Sequence, residues 1–401
     1  MFLPETGNNG NEGGILMQVC NTDMCNGCGL CLEICGKNAI HIVDNIVALN
    51  AEIDLNKCIS CNLCHHLCPR NQNGEIGTFP MLWKQGWSNN DEIRMNASSG
   101  GVISDIIRGF IGNGGKVATC TFNSGEFKYQ LFESVSEMIY VAGSKYVKSS
   151  PHGIYKLIRS ELDNKTRILF IGLPCHVAAI REFVKGNHED LLYTIDLVCH
   201  GSPSPKILEH YLTEYGIELK SLIDIRFRSK IRTLPSGYHY LRDPSLIDYY
   251  LYAFLGRYIN TENCYHCPYA QIKRVGDLTV GDSWGSELDV NQTTKGISLI
   301  LCQTMKGKEL LGISTLSLHD VDLDKAVKSN AQLQKPSEQP LNRAQILSEL
   351  CKGVSLRKVM LHINPKVVFK QMVKETLLRL RLIQPYESGI VYCVSYKKNI
   401  E

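Results

Sequence analysis

Eight cysteines between residues 25 and 68 leave this chain little freedom in how that stretch can fold. They read CNGCGLCLEIC and CISCNLCHHLC, each spaced C-x2-C-x2-C-x3-C, and Cys25, Cys28, Cys31 and Cys35 recur 33 residues later as Cys58, Cys61, Cys64 and Cys68. A constant offset between two runs of one spacing is an internal duplication. Cysteines three apart in a tight loop present three thiolates to one small metal core, and the fourth has to arrive from elsewhere. Zinc sites set their C-x2-C units farther apart.

The stretch from about residue 20 to 80 resembles a two-[4Fe-4S] bacterial ferredoxin domain. In that arrangement the last cysteine of each run crosses to the other cluster. One cubane would then take Cys25, Cys28, Cys31 and Cys68, and the other Cys58, Cys61, Cys64 and Cys35. Pro69 follows the last cysteine of the second run, whereas Gly36 stands at that place in the first. No ligand is lost by the departure.

Composition limits what the other residues can be. With 401 residues, 44% hydrophobic and 21% charged, the chain has the make-up of an ordinary globular protein of two or three domains. The formal net charge of +3 gives no reason to expect nucleic-acid binding. No apolar run reaches the 18 residues of a membrane span, and MFLPETGNNGNEGG lacks a basic and an apolar region, so no secretory signal is expected. A cytoplasmic location follows as an expectation. Seventeen cysteines in that compartment point to metal ligation rather than disulfides.

The expected layout is a flexible leader over residues 1–19, the ferredoxin domain over 20–80, a larger mixed α/β domain over 83–334 and a basic helical segment over 341–401. Cys20 reads as a spare thiol, and His65 and His66 as a solvated loop pair that could tune a cluster. AIHIVDNIVAL and GTFPMLW read as short strands covering the clusters. Cysteines become sparse from about Trp83, and helix and strand patterns begin to alternate.

In the larger domain Ser98-Ser99-Gly100-Gly101 leads into VISDIIRGFI, with a serine placed to cap the helix and paired glycines that let an anion approach backbone N–H groups. Taken alone, these residues read more simply as an ordinary helix cap without a ligand. G-x-G-x-x-G after a strand and G-x-x-x-x-G-K-[ST] are both missing. GSKYVKSS offers Lys145, Tyr146 and Lys148 to a flavin or its phosphates, or simply forms a solvated basic strand. IDIRFRSKIRTLPSGYHY concentrates Arg226, Arg228, Lys230 and Arg232, able to meet an acidic cofactor tail.

RILFIG followed by Leu173-Pro174-Cys175 and HVAAIREFV predicts strand, turn and helix. YTIDLVC ends at Cys199-His200-Gly201, so two cysteines are expected at the carboxyl ends of strands, where ligand sites of parallel α/β sheets collect. Cys264 and Cys267 supply a further C-x2-C pair. These four could hold a third cubane or a zinc ion, or remain unligated thiols. Cys120, Cys302, Cys351 and Cys393 read as small buried hydrophobes. After the polar break KPSEQP, residues 342–401 carry eleven Lys or Arg against four Asp or Glu and look like an appended helical domain or docking arm.

SSGGVIS, GSKYVKS, IGLPCHVAAIR, DLVCHGSPSP, FRSK and CYHCPYA followed by DLTVGDSWG occur in an order that resembles the family of coenzyme F420 hydrogenase/dehydrogenase beta subunits, in its bacterial branch. The resemblance implies FAD and a [4Fe-4S] cluster in the larger domain, with electrons passing between clusters and a deazaflavin or nicotinamide-type substrate, and a redox partner protein or ferredoxin. It would place FAD phosphates at Ser98, Ser99, Gly100 and Gly101, with Lys145 and Tyr146 nearby, and the cluster on Cys175, Cys199, Cys264 and Cys267. Arg228 and Lys230 would serve the cofactor. His200 is then a proton donor or substrate contact, with Asp282 orienting it or a flavin edge. Non-enzymatic alternatives are an electron carrier or an adaptor for a partner enzyme, for example in polysaccharide biosynthesis.

Overall fold

The structure is a computed structural model that describes residues 18–72, 74–230, 236–241, 248–383 and 391–398. The leader up to residue 17 and Arg232 lie outside the described residues. The two cysteine runs fold as the duplication requires. Gly27 and Ser60, 33 residues apart, both take positive φ, at 64° and 55°, and so do Gly29 and Asn62, at 71° and 57°. The short helices Leu30–Ile34 and Leu63–His66 follow. Between the runs lies an antiparallel hairpin of β1 (Ile40–Asp44) and β2 (Leu49–Ile53).

The remaining strands are β3 (Leu82–Ser88), β4 (Lys116–Asn123), β5 (Glu126–Phe132), β6 (Ile168–Gly172), β7 (Leu192–Leu197), β8 (Leu222–Ser229), β9 (Tyr238–Tyr240), β10 (Leu278–Asp282), β11 (Ser298–Cys302), β12 (Leu316–His319) and β13 (Val391–Lys398). Eight of them form one mixed sheet in the order β12-β3-β11-β10-β7-β6-β4-β5. Its centre, from β10 through β7 and β6 to β4, is parallel. GTFPMLW is not a strand of its own: Thr78 bridges to Arg274, and Leu82 and Trp83 open β3, inside this sheet between β12 and β11.

Both faces of the sheet are covered, which is why β6 and β11 are buried along their whole length. Along β6 the side chains alternate, Ile168 and Phe170 to one core, Leu169 and Ile171 to the other. The first core takes Ile158 and Leu162 from the Ile154–Asp163 helix and Ile180 and Val184 from Pro174–Val184. The second takes Ile106 and Phe110 from the Val102–Gly112 helix. Cys28 and Leu30 of the ferredoxin domain join the first core, so the small domain is packed onto the large one.

The C-terminal segment is helical over Arg343–Cys351, Leu356–Ile363 and Pro365–Arg379. It is not an appended arm. Ile346, Leu350, Val359 and Met360 are buried in one core with Tyr211, Phe227 and Tyr250, and β13 lies between β8 and β9 in a three-stranded antiparallel sheet. Among the described residues no helix is long and apolar enough to cross a membrane.

Candidate functional site

The cysteines of the two runs gather into neighbouring groups. Cys31 has Cys28, Cys25, Cys68 and Cys64 as its thiol neighbours, and burial followed by their charge raises it far above an ordinary thiol. Burial and Cys25 push Cys28 up to about 12. Cys64 instead faces Cys61, Cys35 and Cys58. The duplicated loops also repeat an N–H···S bond, from Gly27 to Cys25 Sγ and from Ser60 to Cys58 Sγ, both 3.4 Å. Such bonds orient a ligating sulfur and tune what it binds. The set around Cys25 is buried against the large domain, whereas Cys61 is exposed and Cys58 and Cys64 are half-buried.

Cys20 is closer to this chemistry than a spare thiol. It is hydrogen-bonded to Cys25 and Cys68, which holds its own proton firmly and draws Cys25 down. Only its position five residues ahead of the first run hinted at this.

The central parallel strands deliver the second group. β6 ends at Gly172, and Pro174 opens the next helix with Cys175 in its first turn. The neighbouring β7 ends at Leu197, so Cys199 lies just past the same edge. The loop after Cys199 pairs with the chain leading to Cys264: Thr261 N–H donates to Ser202 at 3.1 Å, and Asn260 Nδ2 donates to the His200 carbonyl at 3.1 Å. Cys199 is pushed up to about 12 by burial and by Cys264 and Cys267, and Cys175 well above the thiol range by burial and by Cys199 and Cys267. Burial and the neighbouring thiols oppose ionisation of Cys175 and Cys199, and a bound metal would offset that charge. Among the described residues no three His, Cys, Asp or Glu side chains converge tightly enough to share one ion, and a four-iron core spreads its thiolates more widely than a single ion does.

Lys148 sits in their midst. Burial alone would lower its ammonium, yet the thiolates of Cys264, Cys175, Cys25 and Cys199 hold it above the ordinary value. Nothing in GSKYVKSS sets it apart from Lys145, three residues earlier. Lys145 points elsewhere: its Nζ donates to the carbonyls of Val141, Ala142 and Gly143.

A basic cluster occupies the same sheet edge, where β10 ends at Asp282. Arg228 Nη1 donates to Asp282 Oδ2 at 2.6 Å, and Trp284 lies over its guanidinium at 5.8 Å. Lys230 Nζ donates to the carbonyls of Arg94 and Ser99, and burial with the charges of Arg94 and Arg228 takes it down to about 7. Arg94 is buried, spends its donors on Gln292 and Gly296, and stacks 4.4 Å from Trp87. Tyr146 stacks on Phe254 and lies next to Arg228. Burial lowers His200, whose charged neighbours are Asp282, Arg257 and Arg228. Arg226 pairs with Asp224 at 3.2 Å.

At the serine-glycine start the Val102–Gly112 helix is capped by Gly101, φ 81°, with no side-chain cap. Ser98 Oγ accepts from Ser144 N–H at 2.8 Å, and Ser99 Oγ donates to the Ile297 carbonyl at 2.9 Å. The expected serine cap is thus absent. Gly100 N–H donates to Ser298 Oγ at 3.0 Å, and a Cβ there would meet the Gly86 carbonyl oxygen at 2.3 Å. The glycine lets the turn approach β3 and β11. What fits an anionic cofactor tail is the surplus charge of Arg94, Arg228 and Lys230 over Asp282 beside this helix start.

Residues 165–316 match the family model for the C terminus of the coenzyme F420 hydrogenase/dehydrogenase beta subunit. Residues 24–72 match a 4Fe-4S dicluster domain. Over residues 165–316 the chain is similar to the coenzyme F420 hydrogenase/dehydrogenase beta subunits, and over residues 24–72 to dicluster ferredoxins. The matched region spans Cys175, Cys199, Cys264 and Cys267, with Arg228, Lys230 and Asp282 between and after them. A curated relative is the F subunit of the F(420)H(2) dehydrogenase of Methanosarcina mazei, 23% identical over 196 residues, which are 46% of this chain and 55% of that protein. The match thus spans about half the relative's length. A chain of the F420-reducing [NiFe] hydrogenase complex from Methanosarcina barkeri is similar over 64% of this chain and 91% of that one, at 14% identity and TM-score 0.44. That likeness is too distant to transfer residue roles.

Proposed function

We propose that the chain is an iron–sulfur flavoprotein oxidoreductase that passes electrons between [4Fe-4S] clusters and a two-electron substrate of deazaflavin or nicotinamide type. The observation that carries the reading is the gathering of Cys175, Cys199, Cys264 and Cys267 between the buried ferredoxin cysteines and the Arg94, Arg228 and Lys230 cluster. When bound, the clusters carry single electrons and FAD converts them to the pair that moves as hydride.

The chain's own residues supply the rest. Cys25, Cys28, Cys31 and Cys68 hold one cubane, Cys35, Cys58, Cys61 and Cys64 the second, and the four later cysteines a third. Arg94, Arg228 and Lys230 neutralise the cofactor's diphosphate, and Tyr146 with Trp284 gives its rings apolar contacts. Ser98, Ser99, Gly100 and Gly101 shape the turn rather than bind through their hydroxyls, and Lys145 braces its own loop. His200, kept neutral by burial, can donate a hydrogen bond to substrate, and Asp282 fixes Arg228. A redox partner would approach the second cubane, where Cys61 is exposed among Ile59, Leu63 and Leu55.

Anaerobic purification tests the reading. About twelve iron atoms and one FAD per chain are expected, with reduction of F420 or NAD(P)+ by a one-electron donor. About eight iron atoms and no flavin would instead identify a ferredoxin-type carrier or adaptor.

A further inference from the structure

Lys148 is 2% exposed, and its ammonium is held by both cysteine-bearing loops at once. Nζ lies 3.3 Å from the carbonyl of Asn26, between Cys25 and Cys28, and 3.3 Å from Oδ1 of Asn263, which precedes Cys264. The two asparagines are joined to each other, Asn263 Nδ2 to Asn26 Oδ1 at 3.3 Å. Thr261 Oγ1 donates to Asn263 Oδ1 at 2.8 Å and lies 3.4 Å from Cys264 Sγ. The Lys148 backbone N–H donates to the Pro203 carbonyl at 2.9 Å, tying its loop to the loop after Cys199. Asn26, Asn263 and Thr261 are all buried.

A buried ammonium is costly unless charge of the opposite sign faces it. The thiols of Cys25, Cys175, Cys199 and Cys264 surround Lys148 and would face it as negative groups once clusters are bound; its hydrogen-bond acceptors, Asn26 and Asn263, are neutral. Reduction of a cluster adds one negative charge. In a site of low effective dielectric, a fixed cation between two such centres favours the added electron on both. The second ferredoxin set, whose thiols neighbour one another, lies outside this arrangement.

Resting on the reading above that these cysteines hold clusters, we propose that Lys148 is a positioning residue for electron transfer. Its charge is shared by the Cys25–Cys28–Cys31–Cys68 cluster and the Cys175–Cys199–Cys264–Cys267 cluster and raises the reduction potential of both. Electrons arriving at the outer cluster therefore run inward.

The test is an anaerobic redox titration of the full-length chain followed by electron paramagnetic resonance, on wild type, Lys148→Met and Lys148→Arg. Lys148→Met should lower two of three potentials by about tenfold in equilibrium constant, ~59 mV for one electron, and leave the outer cluster unmoved. Lys148→Arg should stay near wild type. Asn263→Asp sets a carboxylate against the retained ammonium, and it should lower the same two potentials even if Lys148→Met fails to load iron. Potentials unmoved in an iron-replete Lys148→Met, or in Asn263→Asp, overturn the proposal while the cluster assignment stands. About eight iron atoms in wild type would defeat the assignment itself.

Discussion

At the scale of single residues, the site is a matter of which charges lack an opposite. Lys230 is drawn down to about 7 by burial and by Arg94 and Arg228, so an anion placed beside it restores its proton. Binding of FAD should then take up a proton and weaken as pH rises from about 7 towards the ordinary lysine value of 10.5. Fluorescence titrations across that range should show the decline, and Lys230→Met should flatten it; a wild-type affinity independent of pH would remove Lys230 from the anion site. Without ligand the sign is the opposite for folding. The unfolded lysine holds a proton that the folded one has shed, so the lowered group contributes stability as pH rises through that window. Gly100 makes a steric prediction. Alanine there would drive its Cβ against the Gly86 carbonyl oxygen and Ser298 N, at 2.3 and 2.8 Å, and should cost about 1–3 kcal/mol in chemical denaturation. The two cysteine runs were legible in the sequence, because one spacing repeated at a 33-residue offset shows without any structure. It could not show that Lys145 braces a loop while Lys148 faces thiols, since two lysines in one short stretch differ only in where the chain turns.

Elements explain why the rest of the site was partly legible. Cys175 and Cys199 were placed at strand ends by the apolar runs ILFIG and YTIDLV, and β6 and β7 are indeed parallel neighbours. The C-terminal segment was harder to read, because basic residues at helical spacing describe a helix and not what its apolar side meets. Its buried side meets the core of residues 207–259. Arg343, at the start of its first helix, reaches the site: its guanidinium donates to Glu262 Oε2 at 2.6 Å and to the Asn260 carbonyl at 2.8 Å, and lies 4.8 Å from the Tyr265 ring. The segment therefore braces the loop bearing Cys264 and Cys267. Met360→Ala, fully buried in that core, should destabilise the whole domain by about 2–5 kcal/mol. An unchanged urea midpoint would return the segment to the status of an independent arm.

Over the whole molecule the cysteine sets grade in position from the surface inward to the sheet edge: Cys61 open to solvent, Cys25 and Cys28 buried against the large domain, then the four half-buried cysteines at the sheet edge. Tyr155 Oη donates to the Cys28 carbonyl at 2.8 Å, and Ser204 Oγ to Asp44 Oδ2 at 2.6 Å, so the two domains are fastened at the first ferredoxin loop and at the end of β1. That gradation is what a route for electrons requires, and it depends on a third cluster completing the route. Iron content of anaerobically reconstituted Cys264→Ser beside wild type tests this most directly. The account predicts a fall from about twelve to about eight iron atoms per chain, with the two ferredoxin signals in electron paramagnetic resonance unchanged. Equal iron in the two proteins, at about eight atoms each, would contradict it.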